Sequence, residues 1–200
     1  MNRIVAFALA ALMLGGSALA QDLPSSVVPG KQQFDMKILA TGFASPWEIT
    51  WGPDDFLWVT ERTGGRIVRV DPKDGSQHLA IQIDGVYAPG GQDGLLGLAL
   101  DPGLLKGTGH DFVYTAYTYE DRARGADDTV VDPNSPYRYL YTKIIRLSYD
   151  ATTHKLSDPV ELIAGMPASS DHNSGGISSF RAQLEQFYTI FVRLSRNILP

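Results

Sequence analysis

The chain has 200 residues, 17 Lys and Arg against 22 Asp and Glu, a net charge of −5, and no cysteine. That mildly acidic balance, with no basic stripe, argues against nucleic acid as a partner. The absence of cysteine excludes a disulfide framework and any thiolate metal site, so stability must come from core burial.

The first element is a leader. Met1-Asn2-Arg3 is followed by an apolar run over residues 4–14 and by Ala18-Leu19-Ala20. The run is shorter than the roughly 20 residues a bilayer requires. Residues 1–20 therefore read as a secretory signal peptide cleaved before Gln21, and residues 21–33 as a linker. The mature protein is expected to be exported, secreted or periplasmic, and to lack a membrane span.

From Phe34 onward the pattern is one of short strands and tight turns. Ile49 and Trp51 belong to a strand that Gly52-Pro53-Asp54-Asp55 breaks, with Pro53 where φ must be about −65°. Leu57–Glu61 is a second strand. Thr63-Gly64-Gly65 is a hairpin turn, and Arg66–Val70 then alternates polar and apolar until Asp71-Pro72 closes it. Residues 77–83 complete a four-stranded meander. The unit then recurs at an offset of about 49 residues. Leu95–Leu100 leads into Asp101-Pro102, residues 112–119 answer the second strand, 142–149 the third and 159–163 the fourth. A four-strand unit with a period of about 50 residues predicts β-propeller blades. A sandwich could use the same strands but does not predict the matching turns.

Residues 120–136, rich in Asp, Arg, Asn and Pro, interrupt the second unit as a solvated surface loop. A third unit should begin after Gly175 with an apolar strand and a Gly-Pro-Asp turn. Residues 176–200 supply neither, and are expected to fall outside the repeat.

Ser170-Asp171-His172-Asn173-Ser174-Gly175, at the third beat of the pattern, carries the most chemistry. It sets a carboxylate, an imidazole, an amide and a hydroxyl side by side, and His is the side chain whose ordinary pKa suits proton transfer near neutrality. Other polar motifs carry less. Glu61-Arg62 reads as a turn-capping or surface ion pair, worth under about 1 kcal/mol. Asp127-Asp128 and Asp132 lack the glycine and glutamate of an EF-hand. His110 and His154 stand alone in turns without metal spacing. Tyr114, Tyr117 and Tyr119 read as strand and rim residues.

Trp47 with Trp51-Gly52-Pro53-Asp54, the run LWVTERTGGRIVRVDP from Leu57, GQDGLLGLALDP from Gly91, TKIIR from Thr142 and LIAGMPASSDHNSG from Leu162 together resemble the soluble pyrroloquinoline-quinone (PQQ)-dependent sugar dehydrogenases. This is the glucose/sorbosone, or aldose, dehydrogenase family. The resemblance covers most of residues 34–175 and implies an all-β, six-bladed propeller of which about two blades are present. On that footing the chain is an N-terminal third with a non-family tail, as a frameshift or truncation would leave, and is expected to be inactive.

The resemblance implies oxidation of the C1 hydroxyl of an aldose such as glucose to the lactone, with hydride passing to PQQ. It implies His172 as the general base, and Gln92 and Asp171 as sugar contacts. Both of their loops lead into the first strand of a blade, which places them at one end of the central channel. PQQ and calcium are expected for a full-length member, with their ligands largely downstream of the matching region and no metal ligand here. A separate electron acceptor is expected, and a homodimer is allowed for the full-length form. Two rivals stay open. A calcium-dependent sugar lactonase would use Glu48 as metal ligand, and a non-catalytic propeller would bind a glycan or a protein.

Overall fold

The computed structural model describes residues 37–171 and residue 173. The expected signal peptide, the linker, the tail and His172 lie outside them. Eight strands follow in chain order: β1 (Pro46–Trp51), β2 (Leu57–Glu61), β3 (Arg66–Val70), β4 (Gln77–Gln82), β5 (Leu95–Leu100), β6 (Phe112–Glu120), β7 (Leu140–Asp150) and β8 (Lys155–Pro167). They make two four-stranded antiparallel meanders, β1-β2-β3-β4 and β5-β6-β7-β8, as the repeat predicts.

Local chemistry sets the turns. After β1, Gly52 donates its N–H to Phe56 O at 2.8 Å, and Asp55 takes a φ of 62°. Gly52 has no substitute here, because a Cβ would overlap the Trp58 indole nitrogen. That nitrogen is close because it donates to Asp54 Oδ1 at 3.0 Å. The Arg69 guanidinium closes the same lock, with Nε donating to Asp54 Oδ2 at 2.7 Å and the group lying 4.2 Å over the Phe56 ring. The second sheet repeats the device: Tyr114 donates to Asp101 Oδ2 at 3.0 Å, and Arg146 lies 4.2 Å over Phe112.

The fourth strand of the second sheet departs from expectation. β8 runs over Lys155–Pro167 rather than 159–163, because its hairpin with β7 begins immediately after a capped turn. The Asp150 carboxylate accepts from Thr152 N at 2.7 Å and from Thr153 Oγ1 at 2.9 Å, and pairing starts at Asp150 opposite Lys155. Asp158-Pro159 sits where the register shifts between Arg146 and Ser148, with Asp158 at a φ of 51°. A bulge there absorbs the proline, which has no N–H for the ladder. The 120–136 segment is also less free than predicted. Val131 is 94% exposed, but Gly125 O accepts from Tyr141 at 2.8 Å and the Arg124 guanidinium stacks on the Tyr141 ring.

The main core lies between the sheets. Trp58, Ile67, Ala80 and Ile83 of the first meet Leu95, Leu98, Val113, Leu147, Tyr149 and Leu156 of the second. Trp58 sits edge-on to Tyr149 with ring centroids 5.3 Å apart. Alternate residues point the other way. Val59, Val68 and Val70 are covered by Leu39, Ala40 and Phe43. Thr60 ties the sheets together near their inner strands, donating to Leu96 O at 2.8 Å while accepting from Glu48 N at 3.0 Å.

Candidate functional site

The loop Gly90-Gly91-Gln92-Asp93-Gly94 enters β5, and its geometry is set by its own aspartate. The Asp93 side chain is fully buried and turns back, Oδ2 accepting from Gly90 N and Gly91 N at 3.1 Å each. Burial raises its pKa above the ordinary carboxylate value, against the opposing pull of the Gly90 amide and the Arg62 guanidinium. Arg62, just beyond β2, donates through Nη1 to Gly91 O at 2.8 Å and to Asp93 O at 2.9 Å, and lies 3.4 Å from Asp93 Oδ1. Its own carbonyl accepts from Leu95 N at 2.9 Å. This contact explains Gly94, since a Cβ there would overlap Arg62 O.

A second loop, beyond β8, rests on the first. Gln92 N donates to Ser170 O at 2.6 Å. Asn173 spans both loops, with Nδ2 donating to Gln92 O at 3.1 Å and to Ser169 O at 2.6 Å while Oδ1 accepts from Ser169 N at 3.0 Å. Ser169 Oγ donates to Asp171 O at 2.7 Å, which tightens the turn that carries Asp171. The approach is close enough that a Cβ on Gly91 would overlap Ser170 O.

Of the three sequence-predicted site residues, the structure brings two together. Gln92 and Asp171 are both exposed on loops bonded to each other, and His172 lies outside the described residues. Tyr137, which sequence reasoning missed, sets its hydroxyl beside Gly90 of the first loop. Burial raises its pKa, and the negative charges of Asp93 and Asp171 raise it further. A carboxamide and a carboxylate on neighbouring exposed loops can donate to and accept from the hydroxyls of a polyol.

The Glu61-Arg62 ion pair is corrected. β2 ends at Glu61, and Arg62 already lies in the turn beyond it, so the two side chains part. Glu61 is fully buried and takes Arg66 at 2.5 and 2.9 Å, whereas Arg62 serves Asp93. Glu48 belongs to a different place. It lines a cavity of about 620 Å³ along β1 and β5 with Thr50, Trp51, Leu98, Asp101 and Lys106, which neither Gln92 nor Asp171 borders. Burial raises its pKa. Among the described residues no group of three His, Asp or Glu side chains is placed to hold a metal ion.

The glucose/sorbosone dehydrogenase family model matches residues 43–192. Quinoprotein glucose dehydrogenase B of Acinetobacter calcoaceticus is 36% identical over 156 residues, covering 76% of this chain and 30% of that protein. The PQQ-bound aldose sugar dehydrogenase of Streptomyces coelicolor superposes with a TM-score of 0.54 at 30% identity, over 72% of this chain and 37% of that one. A glucose dehydrogenase-type oxidoreductase of Thermus thermophilus does so with a TM-score of 0.51 at 26% identity, over 71% and 35%. The chain thus spans about a third of the length of these relatives. With two propeller blades in place and that match along the sequence, the chain belongs to the glucose/sorbosone dehydrogenase family of PQQ-dependent sugar dehydrogenases.

Proposed function

We propose that this chain provides the sugar-binding side of a quinone-dependent enzyme that oxidises the C1 hydroxyl of an aldose to the lactone. One observation carries the reading: Gln92 and Asp171, from loops far apart in sequence, are fastened together and exposed at one end of the sheets. The Asp171 carboxylate accepts from sugar hydroxyls, and the Gln92 carboxamide both donates and accepts. His172, one residue further, accepts the proton of the anomeric hydroxyl.

The described residues do not by themselves fit the quinone or a calcium ion. The Arg62 guanidinium is committed to Gly91 O and Asp93, the exposed carboxylate of Asp171 would repel an acidic cofactor, and no three-ligand cluster is present. The 200-residue chain is expected to bind D-glucose without turning it over when PQQ and calcium are added. Titration of D-glucose followed by saturation-transfer NMR, with dye reduction in parallel, tests both halves. Binding should weaken in Gln92→Ala and Asp171→Ala. Unchanged binding in both variants, or quinone-dependent turnover by the chain alone, would overturn the reading. In a longer form that does turn over, His172→Ala should lower kcat by roughly 10² to 10⁴-fold.

The reading includes export. Mass determination of the protein from its native host should find an N-terminus at Gln21, and an intact Met1 would contradict it.

A further inference from the structure

We propose that Asn173 and the Arg62–Asp93 pair are positioning residues that fix the separation of the exposed Gln92 and Asp171 side chains, and so decide which hydroxyl pattern of a sugar fits between them. This rests on the aldose reading above. Asp93 is fully buried and the Arg62 side chain is 18% exposed, so their work is done through the loop. Arg62 grips Gly91 O and Asp93 O, the carbonyls on either side of Gln92. From the other loop, Asn173 reaches the carbonyl of Gln92 itself.

The Asn173 amide is held in one orientation. The two Nδ2 protons of Asn173 go to Gln92 O and Ser169 O, and its Oδ1 takes Ser169 N–H, which leaves the amide no second rotamer with the same partners. The contact between Gly91 and Ser170 O sets the lower limit of the gap, and the 2.6 Å bond from Gln92 N to Ser170 O holds it there. A displacement of about 1 Å between two binding groups is enough to change recognition by large factors.

Asn173→Asp keeps the acceptor for Ser169 N–H and sets carboxylate oxygen against two carbonyls. Arg62→Lys keeps a positive charge beside Asp93 and removes the planar Nη1 group that reaches both Gly91 O and Asp93 O. In the full 200-residue chain, amide exchange at Gln92 should speed up on the order of tenfold in both variants, while β2 and β3 amides keep their protection and so report an intact fold. Affinity should be measured for D-glucose, D-mannose and D-galactose. Loss of position changes the ratio between the three sugars, whereas partial unfolding lowers all of them by one factor. Unchanged exchange at Gln92, or a uniform loss with ratios preserved, overturns the proposal while the aldose reading stands. A wild-type chain that binds none of the three overturns the aldose reading, and this proposal falls with it.

Discussion

Asp93 stays buried because two backbone N–H groups and one guanidinium replace its water. The replacement is incomplete, which is why its pKa lies above the usual carboxylate value. A carboxyl with a folded-state pKa above its unfolded one binds protons more readily when folded, so its contribution to stability improves as pH falls through that window. Relative to Asp93→Asn, which does not titrate, the wild type should gain stability from neutral towards mildly acidic pH. Urea unfolding of the two proteins across that range measures the difference, and parallel curves would show that Asp93 is not the group responsible. Gln92 and Asp171 were legible only through the resemblance of their loops, GQDG and SDHNSG, to those of the sugar dehydrogenase family. Arg62 and Asp93 were not, since their pairing spans 31 positions and nothing local to either announces it. The one available signal was Asp93 itself, an aspartate set among glycines, where a side chain that bonds its own loop is common. Asn173 was read as one more polar loop residue, and its reach to Gln92 spans 81 positions.

At the scale of elements, β2, β3 and β5 were readable to the residue because Gly, Pro and Asp turn residues bracket each run of strand-type residues. β8 was not. Asp158-Pro159 looks like punctuation in sequence, and only the pairing with β7 shows a bulge inside one continuous strand. β2 helps to join the sheets through Trp58. The indole is fully buried, edge-on to Tyr149 and bonded to Asp54. Trp58→Ala should cost roughly 3–5 kcal/mol through lost burial and the cavity left behind. Trp58→Phe keeps most of the ring contact and removes the donor to Asp54, and should cost clearly less, though the bared carboxylate adds about 1–3 kcal/mol. Urea unfolding resolves the two. Equal losses would mean that the hydrogen bond, rather than the packing, dominates.

At the scale of the molecule, exposed apolar side chains among the described residues gather on two strands, β1 and β8. Trp47, Ile49 and Trp51 alternate along one face of β1 at 38%, 59% and 56% exposure, and Val160, Leu162 and Ile163 of β8 are exposed at 41%, 46% and 42%. Contiguous apolar strand surface of this kind favours association. The chain should elute from size exclusion at an apparent mass that rises with concentration, and Ile49→Lys with Leu162→Lys should suppress the rise at little cost to stability, both sites being exposed. An elution volume independent of concentration in the wild type would contradict this.

The aspartate that reaches the aromatic residue of the second strand has a different consequence. Asp54 with Trp58 and Asp101 with Tyr114 each close within one sheet, and the arginine stacks on Phe56 and Phe112 do the same. Each meander therefore brings its own internal brace. A tandem copy of the coding segment would arrive already braced, needing to evolve only the seam it shares with its neighbour, as the Trp58–Tyr149 contact does here. Growth of the fold by gene duplication then requires no change in the parts already built.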